Sequence, residues 1–157
     1  MFKSFLAAAA ISLSMAAAPA LAASHGHGHG TIKMESAHDA ATTLDRLEAI
    51  FNAKGITVFA RVDHAAGAKK IGEEMAPTQL LLFGNPKLGT PLMKVNREVG
   101  FDLPMKALAW TDDAGKTWLA VTDPAALKTH YGLDAASAVI EKMIGAVTAM
   151  GKKATSK

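Results

Sequence analysis

The sequence predicts an α/β (α+β) two-layer sandwich, in which a mixed sheet of about five short strands is covered by helices. Segments with strand periodicity alternate with segments whose apolar residues recur at helical spacing, as in a domain with one sheet layer and one helical layer. A turn signal at residues 112–115, Asp-Asp-Ala-Gly, joins two of the strands as a hairpin. Because the chain has no cysteine, the apolar core alone must stabilise this fold.

Residues 1–22 have the three-part organisation of a secretory signal peptide. Lys3 supplies the basic region, residues 5–15 form an uncharged apolar stretch, and Ala20-Leu21-Ala22 provides the small residues that precede a cleavage site. The apolar stretch is shorter than the roughly 20 residues that a membrane-spanning helix needs. We therefore expect export, cleavage after Ala22, a periplasmic or secreted mature protein, and no membrane span.

Residues 23–30 are rich in histidine and glycine, and we expect them to be disordered in the absence of a ligand. Their alternating imidazoles, His25, His27 and His29, form a candidate site for Cu, Ni or Zn. With cleavage after Ala22, the new terminus also offers an amine, two amides and the His25 imidazole, a nitrogen set that suits Cu(II) or Ni(II). A solvated tract that binds no metal is the alternative.

Strand and helix signals begin at Thr31. A first short strand is predicted over 31–34, and a helix over 42–54 follows, ended by Gly55. The apolar stripe of that helix consists of Leu44, Leu47, Ile50 and Phe51. Alternating side chains then predict a strand over 56–63.

The next pair of elements decides the predicted topology. An alanine-rich helix is predicted over 64–72, with Asp63 as its cap, and the continuous apolar run 79–83 predicts a central strand covered on both faces. The connection between strands 56–63 and 79–83 is long enough for a crossover. We therefore expect these two strands to be parallel.

A helix start is predicted from the dipeptide Thr90-Pro91. Threonine is a favourable N-cap, and proline is favoured at the first helical position. Residues 84–89 are accordingly predicted as a loop, and the helix is predicted to run to about residue 99.

The C-terminal third predicts a hairpin and two helices. Residues 105–111 and 116–122 form the two hairpin strands, a short helix begins at Pro124, and a final helix follows Asp134. The basic residues within 151–157 predict a disordered tail. The folded domain is thus expected to span residues 31–150.

Several short motifs resemble a known family. They are Thr43-x-x-Arg46-Leu47, Asp63-His64, Phe83-Gly84-Asn85-Pro86, Gly89-Thr90-Pro91-Leu92-Met93, Asp102-Leu103-Pro104-Met105-Lys106 and Asp123-Pro124. Together they resemble the domain-of-unknown-function 302 (DUF302) family over about residues 30–150. The resemblance implies a compact α/β domain and supplies no established activity.

The predicted parallel strands place one candidate pocket at their shared carboxyl edge, where open α/β sheets usually bind ligands. His64 follows the first strand and Asn85 the second, while Thr90 opens a helix whose free backbone N–H groups favour anions. Lys87 and Lys106 add positive charge. We expect these side chains to bind a small polar or anionic ligand; structural roles in turns and caps are the alternative.

Three functions remain open from the sequence. The first is a non-catalytic periplasmic domain that binds a small ligand or interacts with another protein. The second is metal handling by the N-terminal histidines. The third, ranked last, is an enzyme in which His64 acts as acid or base, because no nucleophile or metal site stands out beside it in the sequence.

Partner classes follow from charge and strand arrangement. The formal net charge is only +3, with basic and acidic residues interspersed, so nucleic-acid binding is not expected. A homodimer is possible if the hairpin 105–122 forms a sheet edge that pairs with a second chain. The six methionines after residue 22 are spread over apolar faces, which predicts gap-filling in the core and no clustered copper site.

Overall fold

The computed structural model describes residues 30–157; the predicted signal peptide and the tract containing His25, His27 and His29 lie outside this range. The described residues form five strands and five α-helices. The strands are β1 (Thr31–Ser36), β2 (Thr57–Asp63), β3 (Thr78–Gly84), β4 (Met105–Thr111) and β5 (Thr117–Thr122). The helices are α1 (Ala40–Ala53), α2 (His64–Lys70), α3 (Pro86–Val95), α4 (Pro124–Tyr131) and α5 (Ser137–Thr155).

One sheet and one helical layer enclose the core, which confirms the predicted two-layer α/β sandwich. Alternate residues of the inner strands, such as Leu81 and Leu119, are fully buried beneath α1 and α5. The stripe predicted for α1 supplies Leu44, Leu47 and Phe51 to this core. In α5, residues at helical spacing do the same: Ile140, Met143, Val147 and Met150.

The sheet is antiparallel throughout the described chain, so the predicted parallel crossover, and with it the mixed sheet, is wrong. The strand order is β1-β5-β4-β3-β2, and β2 pairs antiparallel with β3. A crossover requires a helix that packs on the sheet face. α2 contains no buried residue, so it has no apolar stripe with which to pack there. The chain instead re-enters the sheet as β3 at the same end at which it left β2.

The β4–β5 hairpin forms as predicted but lies inside the sheet. β4 pairs with both β3 and β5, and β5 pairs with both β4 and β1. Both hairpin strands therefore have their backbone groups engaged on either side, and the predicted pairing of this hairpin with a second chain is wrong. The strands at the two edges are β1 and β2.

Helix α3 begins earlier than predicted, at Pro86 rather than near Thr90. Asn85 is its N-cap: its side chain accepts a hydrogen bond from the Lys87 backbone N–H at 2.9 Å. The sequence contains two cap–proline pairs, Asn85-Pro86 and Thr90-Pro91, and the chain uses the first. Most of the predicted loop 84–89 is therefore helical, and Thr90 lies inside the helix.

Helix α5 extends through most of the predicted C-terminal tail, so the prediction of disorder over 151–157 is wrong. The helix reaches Thr155, and both Ala154 and Thr155 are buried. The guanidinium of Arg46 donates hydrogen bonds to the Ala154, Lys153 and Ser156 carbonyl oxygens, which secures this end. None of the helices within residues 30–157 is both long enough and apolar enough to cross a bilayer.

Candidate functional site

An apolar cavity of about 270 Å³ opens between α3, α5 and the adjoining end of the sheet. We call it the α3–α5 cavity. Its floor includes Phe83, whose ring stacks on Phe51 with centroids 4.2 Å apart. Met143 and Val147 of α5 form part of its wall. The cavity thus adjoins the buried core.

Only two of the residues that line the α3–α5 cavity have polar side chains, Asn85 and Thr90. Asn85 is half-buried where β3 passes into α3, and its carbonyl oxygen is engaged in capping that helix. Thr90 is exposed, one turn further along the same helix. The cavity therefore combines an apolar interior with a small polar rim.

Phe59 covers one side of the cavity mouth. It lies at a β-bulge in β2, where the register with β3 shifts between Val58 and Ala60. A bulge bends its strand and re-aims the local side chains, and such bulges are frequent beside binding sites. The ring is 57% exposed, yet it lies close enough to Gly84 that a Cβ on that glycine would be 3.4 Å from it.

The structure brings together two of the five predicted ligand-binding residues. Asn85 and Thr90 line the same cavity. Lys87 is exposed in the first turn of α3 and is not among the residues that line the cavity.

His64 lies at the opposite end of β3 from Asn85, so the predicted meeting of these side chains is wrong. Asp63, which immediately precedes His64, pairs with Gln79 at the start of β3, whereas Asn85 follows the last residue of that strand. Six residues of extended chain separate the two positions, a distance of about 20 Å. The antiparallel pairing of β2 with β3 is the cause.

Lys106 belongs to a different site, a groove of about 460 Å³ that we call the Asp102 groove. The Lys106 ammonium is 3.8 Å from Asp102 Oδ1, and the Tyr131 hydroxyl donates a 2.7 Å hydrogen bond to Oδ2 of the same carboxylate. This hydrogen bond, aided by partial burial, raises the pKa of Tyr131 above its usual value. His130 lines the groove beside them.

The first described residue lies next to the Asp102 groove. The Gly30 carbonyl oxygen accepts a 2.7 Å hydrogen bond from the backbone N–H of Asp123, and the glycine lies against Ala126 of α4. His130 is one helical turn beyond Ala126 and therefore projects from the same side of α4. Within residues 30–157, no group of three or more His, Asp or Glu side chains is arranged to hold a metal ion.

Sequence reasoning missed the main property of the α3–α5 cavity, its methionines. Four of the six described methionines line it, namely Met93, Met105, Met143 and Met150. The prediction that the methionines are not clustered is therefore wrong, although the four do lie on apolar faces. They come from α3, β4 and α5, so only the tertiary fold brings them together.

Comparison with known proteins supports the fold. The family model described as domain of unknown function DUF302 matches residues 32–150. The crystal structure of an uncharacterized conserved DUF302 protein from Bacillus stearothermophilus is similar with a TM-score of 0.71 and 18% sequence identity, covering 80% of this chain and 98% of that one. At this identity, the structural similarity establishes the shared fold alone.

Curated relatives match part of the chain more strongly in sequence. A protein named fluoride-specific ion channel FluC 1 from Brucella suis is 48% identical over 111 residues, which covers 71% of this chain and 44% of the relative. The protein of the same name from Brucella abortus is also 48% identical over 111 residues, covering 41% of its length. This chain thus spans less than half the length of these relatives.

Proposed function

This chain belongs to the DUF302 family, and we propose that it works as an exported, non-catalytic binding domain with a small, largely apolar ligand. The observation that carries the proposal is the α3–α5 cavity, an open apolar space of about 270 Å³. Export is supported by the signal-peptide pattern of residues 1–22. More than half of each FluC relative lies outside the matched segment, so the channel function in their name is not carried over.

An unfilled apolar cavity favours an apolar ligand on physical grounds. Protein interiors are close-packed, and few voids exceed the size of a water molecule. A cavity of this kind binds water poorly, because it offers too few polar partners, but it can bind small hydrocarbon groups. Its volume of about 270 Å³ lies just below the usual range for ligand pockets, about 300–1,000 Å³, so the ligand is small.

The rim adds one polar requirement. Asn85 and Thr90 border the mouth and can orient a hydroxyl, amide or carboxylate, while the apolar part of the ligand enters between α3 and α5. Lys87, in the exposed first turn of α3, favours a negative group near that mouth. A medium-chain carboxylate has this combination of properties. Its carboxylate corresponds to the anionic group expected from the sequence, and the rest of the ligand is an apolar chain.

Decanoate titration into the mature protein tests the proposal. With the methionine methyl groups labelled by carbon-13, we expect the resonances of the cavity methionines, such as Met143 and Met150, to shift in a saturable manner. Met75 lies outside the cavity lining and is 51% exposed, so its resonance should remain in place. Uniform shifts of all methionines, or no saturation, would contradict specific binding.

Two glycines provide a matched pair of blocking variants. Gly89 lines the cavity, and a Cβ there would be 3.5 Å from Leu103, so Gly89→Phe places a ring in or over the cavity. Gly145 lies on the exposed face of α5, where an added Cβ meets nothing within 4 Å. Gly89→Phe should abolish decanoate binding, and Gly145→Phe should leave it intact. If Gly89→Phe does not fold, Gly89→Ala should still weaken binding.

Metal binding by the N-terminal histidines is a second candidate function, favoured by where that tract joins the domain. His29 directly precedes Gly30, which lies against Ala126, one turn before His130. Gly30, to which the tract of His25, His27 and His29 is joined, therefore lies on the side of α4 from which His130 projects. Histidine imidazoles are the commonest protein ligands of Zn, Cu and Ni ions.

Titration of the mature protein with Cu(II) tests this second function. A terminal site that uses His25 should give the visible d–d band of a square-planar nitrogen set. His25→Ala should abolish the band, while His38→Ala, at a histidine of the folded domain, should not. Mass spectrometry must place the cleavage after Ala22, since any other terminus removes the predicted chelate. Binding that is unchanged in His25→Ala would overturn this site.

A further inference from the structure

Methionines from three separate elements, α3, β4 and α5, line the α3–α5 cavity. Met105 begins β4, and Met143 and Met150 lie two turns apart on the same side of α5. All three are at most 6% exposed. Met93 of α3 is 36% exposed and also lines the cavity, which gives the buried sulfurs a route to solvent.

We propose that these four methionines form a site for one monovalent soft metal ion, Cu(I) or Ag(I), held by thioether sulfurs. Soft thioether ligands select Cu(I) over ions such as Mg²⁺ or Mn²⁺, which require carboxylate or carbonyl oxygens. The cavity lining contains no carboxylate, imidazole or thiol. The donor set therefore selects soft metal ions over hard ones. Asn85 and Thr90 provide the only oxygen-bearing side chains in the lining.

A monovalent ion also fits the low polarity of the cavity. Burying an ion costs free energy unless ligands compensate it, and that cost grows with charge. Neutral sulfurs bring no charge of their own, so a single positive charge is the most that this lining can accommodate. The exposed edge of Met93 provides the entry path that a metal site inside a domain requires.

Three of these side chains, Met105, Met143 and Met150, also belong to the buried core, but core packing accounts for only part of their surroundings. Methionine is flexible and adapts to irregular gaps in cores, yet the four methionines leave about 270 Å³ between them and their neighbours unfilled. Met34 shows the contrasting case within the same chain. It packs so closely over Gly151 that a Cβ added to that glycine would overlap its methyl group. Met34 thus packs without an adjoining void, whereas the other four methionines each have one side facing the cavity.

Titration with Ag(I) in chloride-free buffer tests the site, with Cu(I) under anaerobic conditions as a second probe. The His25→Ala/His27→Ala/His29→Ala variant of the mature protein serves as the background, so that the N-terminal imidazoles do not compete. We expect one ion to bind and to shift the methyl resonances of Met93, Met105, Met143 and Met150. Saturation without those shifts overturns the proposal.

Isosteric variants separate metal binding from apolar-ligand binding. Met143→Leu/Met150→Leu removes two sulfurs but keeps nearly the same apolar volume, a change that cores tolerate. We expect Ag(I) affinity to fall by about tenfold or more, at least as much as the loss of a second-shell partner costs. Met34→Leu/Met75→Leu removes two sulfurs elsewhere and should leave affinity unchanged. Equal Ag(I) affinity in both double variants overturns the proposal.

Decanoate binding in the same variants keeps this proposal distinct from the proposed function. Met143→Leu/Met150→Leu should retain decanoate binding, because its cavity is still apolar. Loss of Ag(I) binding together with retention of decanoate binding supports both proposals. Ag(I) binding to the four methionines in a protein that does not bind decanoate supports the metal site and contradicts the proposed ligand.

Discussion

Arg46 of α1 and Ala154 in the last turn of α5 are joined by a 2.9 Å hydrogen bond from the guanidinium Nε to the carbonyl oxygen. The same guanidinium reaches two neighbouring carbonyl oxygens of that turn. The last carbonyl groups of a helix have no partner within the helix. Arg46 therefore provides the α5 C-terminus with donors, and its positive charge is also favourable at that end of the helix dipole.

We predict that Arg46→Met lowers the free energy of unfolding by about 2 kcal/mol, because hydrogen bonds from a charged donor contribute about 1.5–3 kcal/mol. Urea denaturation measures the change, and amide hydrogen exchange should show faster opening of the last turn of α5. Arg97→Met, at an exposed position, serves as the control. Equal effects of the two substitutions would show that Arg46 does not secure the helix.

Helices α1 and α5 and the β4–β5 hairpin could be predicted from sequence because their signals are local. Apolar residues at helical spacing identify α1 and α5, and the turn at residues 112–115 identifies the β4–β5 hairpin. The relative direction of β2 and β3 depends instead on whether α2 packs against the sheet. That is a tertiary property, and an alanine-rich segment of seven residues does not reveal it.

The candidate site likewise contains residues that local sequence signals identify and residues that only the tertiary fold brings together. Asn85 could be found from sequence because it follows the apolar run of β3 at a strand end, although the sequence placed the start of the helix at Thr90. The methionine lining could not, because Met93 and Met150 are far apart in the chain and only the packing of α3 near α5 brings them together. The prediction that His64 lies near Asn85 depended on a parallel arrangement of β2 and β3. Because these strands are antiparallel, the two residues lie at opposite ends of β3.

Tyr131 should titrate above its usual pKa because its hydroxyl donates to the Asp102 carboxylate at 2.7 Å. It is the only tyrosine in the chain, so the ultraviolet absorbance of tyrosinate reports on it alone. We predict that Asp102→Leu lowers the pKa of Tyr131 towards 10, and that Asp102→Asn, which keeps an acceptor but removes the charge, lowers it less. Asp134→Asn is the control; an identical midpoint in all four proteins would contradict the assignment.

The raised pKa of Tyr131 also predicts a loss of stability at alkaline pH. The folded protein holds the phenolic proton more tightly than the unfolded chain does. The resulting stabilisation is fully present below the unfolded pKa of about 10, and it is lost as the pH rises through the higher folded pKa. Thermal denaturation across this range should show a smaller alkaline decline in Asp102→Leu than in the natural protein.

Asp112 organises the hairpin turn and should remain ionised at lower pH than an ordinary aspartate. Its carboxylate accepts hydrogen bonds from the Trp118 indole at 2.7 Å and from the Lys116 backbone N–H at 2.9 Å. These bonds, that from Trp118 most of all, lower the pKa of Asp112 below its ordinary value of 3.8. The stabilisation is therefore present above about pH 4, and it is lost as the pH falls through the lower folded pKa.

Trp118 fluorescence provides the measurement for Asp112. In a Trp110→Phe background, the emission of Trp118 should change with a midpoint below pH 4, when its carboxylate partner is protonated. Asp112→Asn should remove that transition, whereas Asp113→Asn, at the neighbouring turn residue, should leave it. A transition that persists in Asp112→Asn would assign the titration to another group.

Two glycines within α5 should respond differently to alanine. At Gly145 an added Cβ meets nothing within 4 Å, so Gly145→Ala should raise the free energy of unfolding by about 0.5–1 kcal/mol, the usual difference inside a helix. At Gly151 the added Cβ would overlap the methyl group of Met34. That methyl group ends a flexible side chain that must rotate aside at some cost, so Gly151→Ala should stabilise less than Gly145→Ala despite the same gain in helix propensity.

Met34 is the side chain that determines the effect of Gly151→Ala, and a double-mutant cycle measures its part. Met34→Ala removes the atoms with which the new Cβ would overlap, so Gly151→Ala should be more favourable in that background than in the natural protein. The effect of Gly145→Ala should not depend on Met34, because the two do not share a contact. If Gly151→Ala is as stabilising as Gly145→Ala, Met34 moves aside without cost. That result would contradict the close packing of Met34 in β1 against Gly151 in α5.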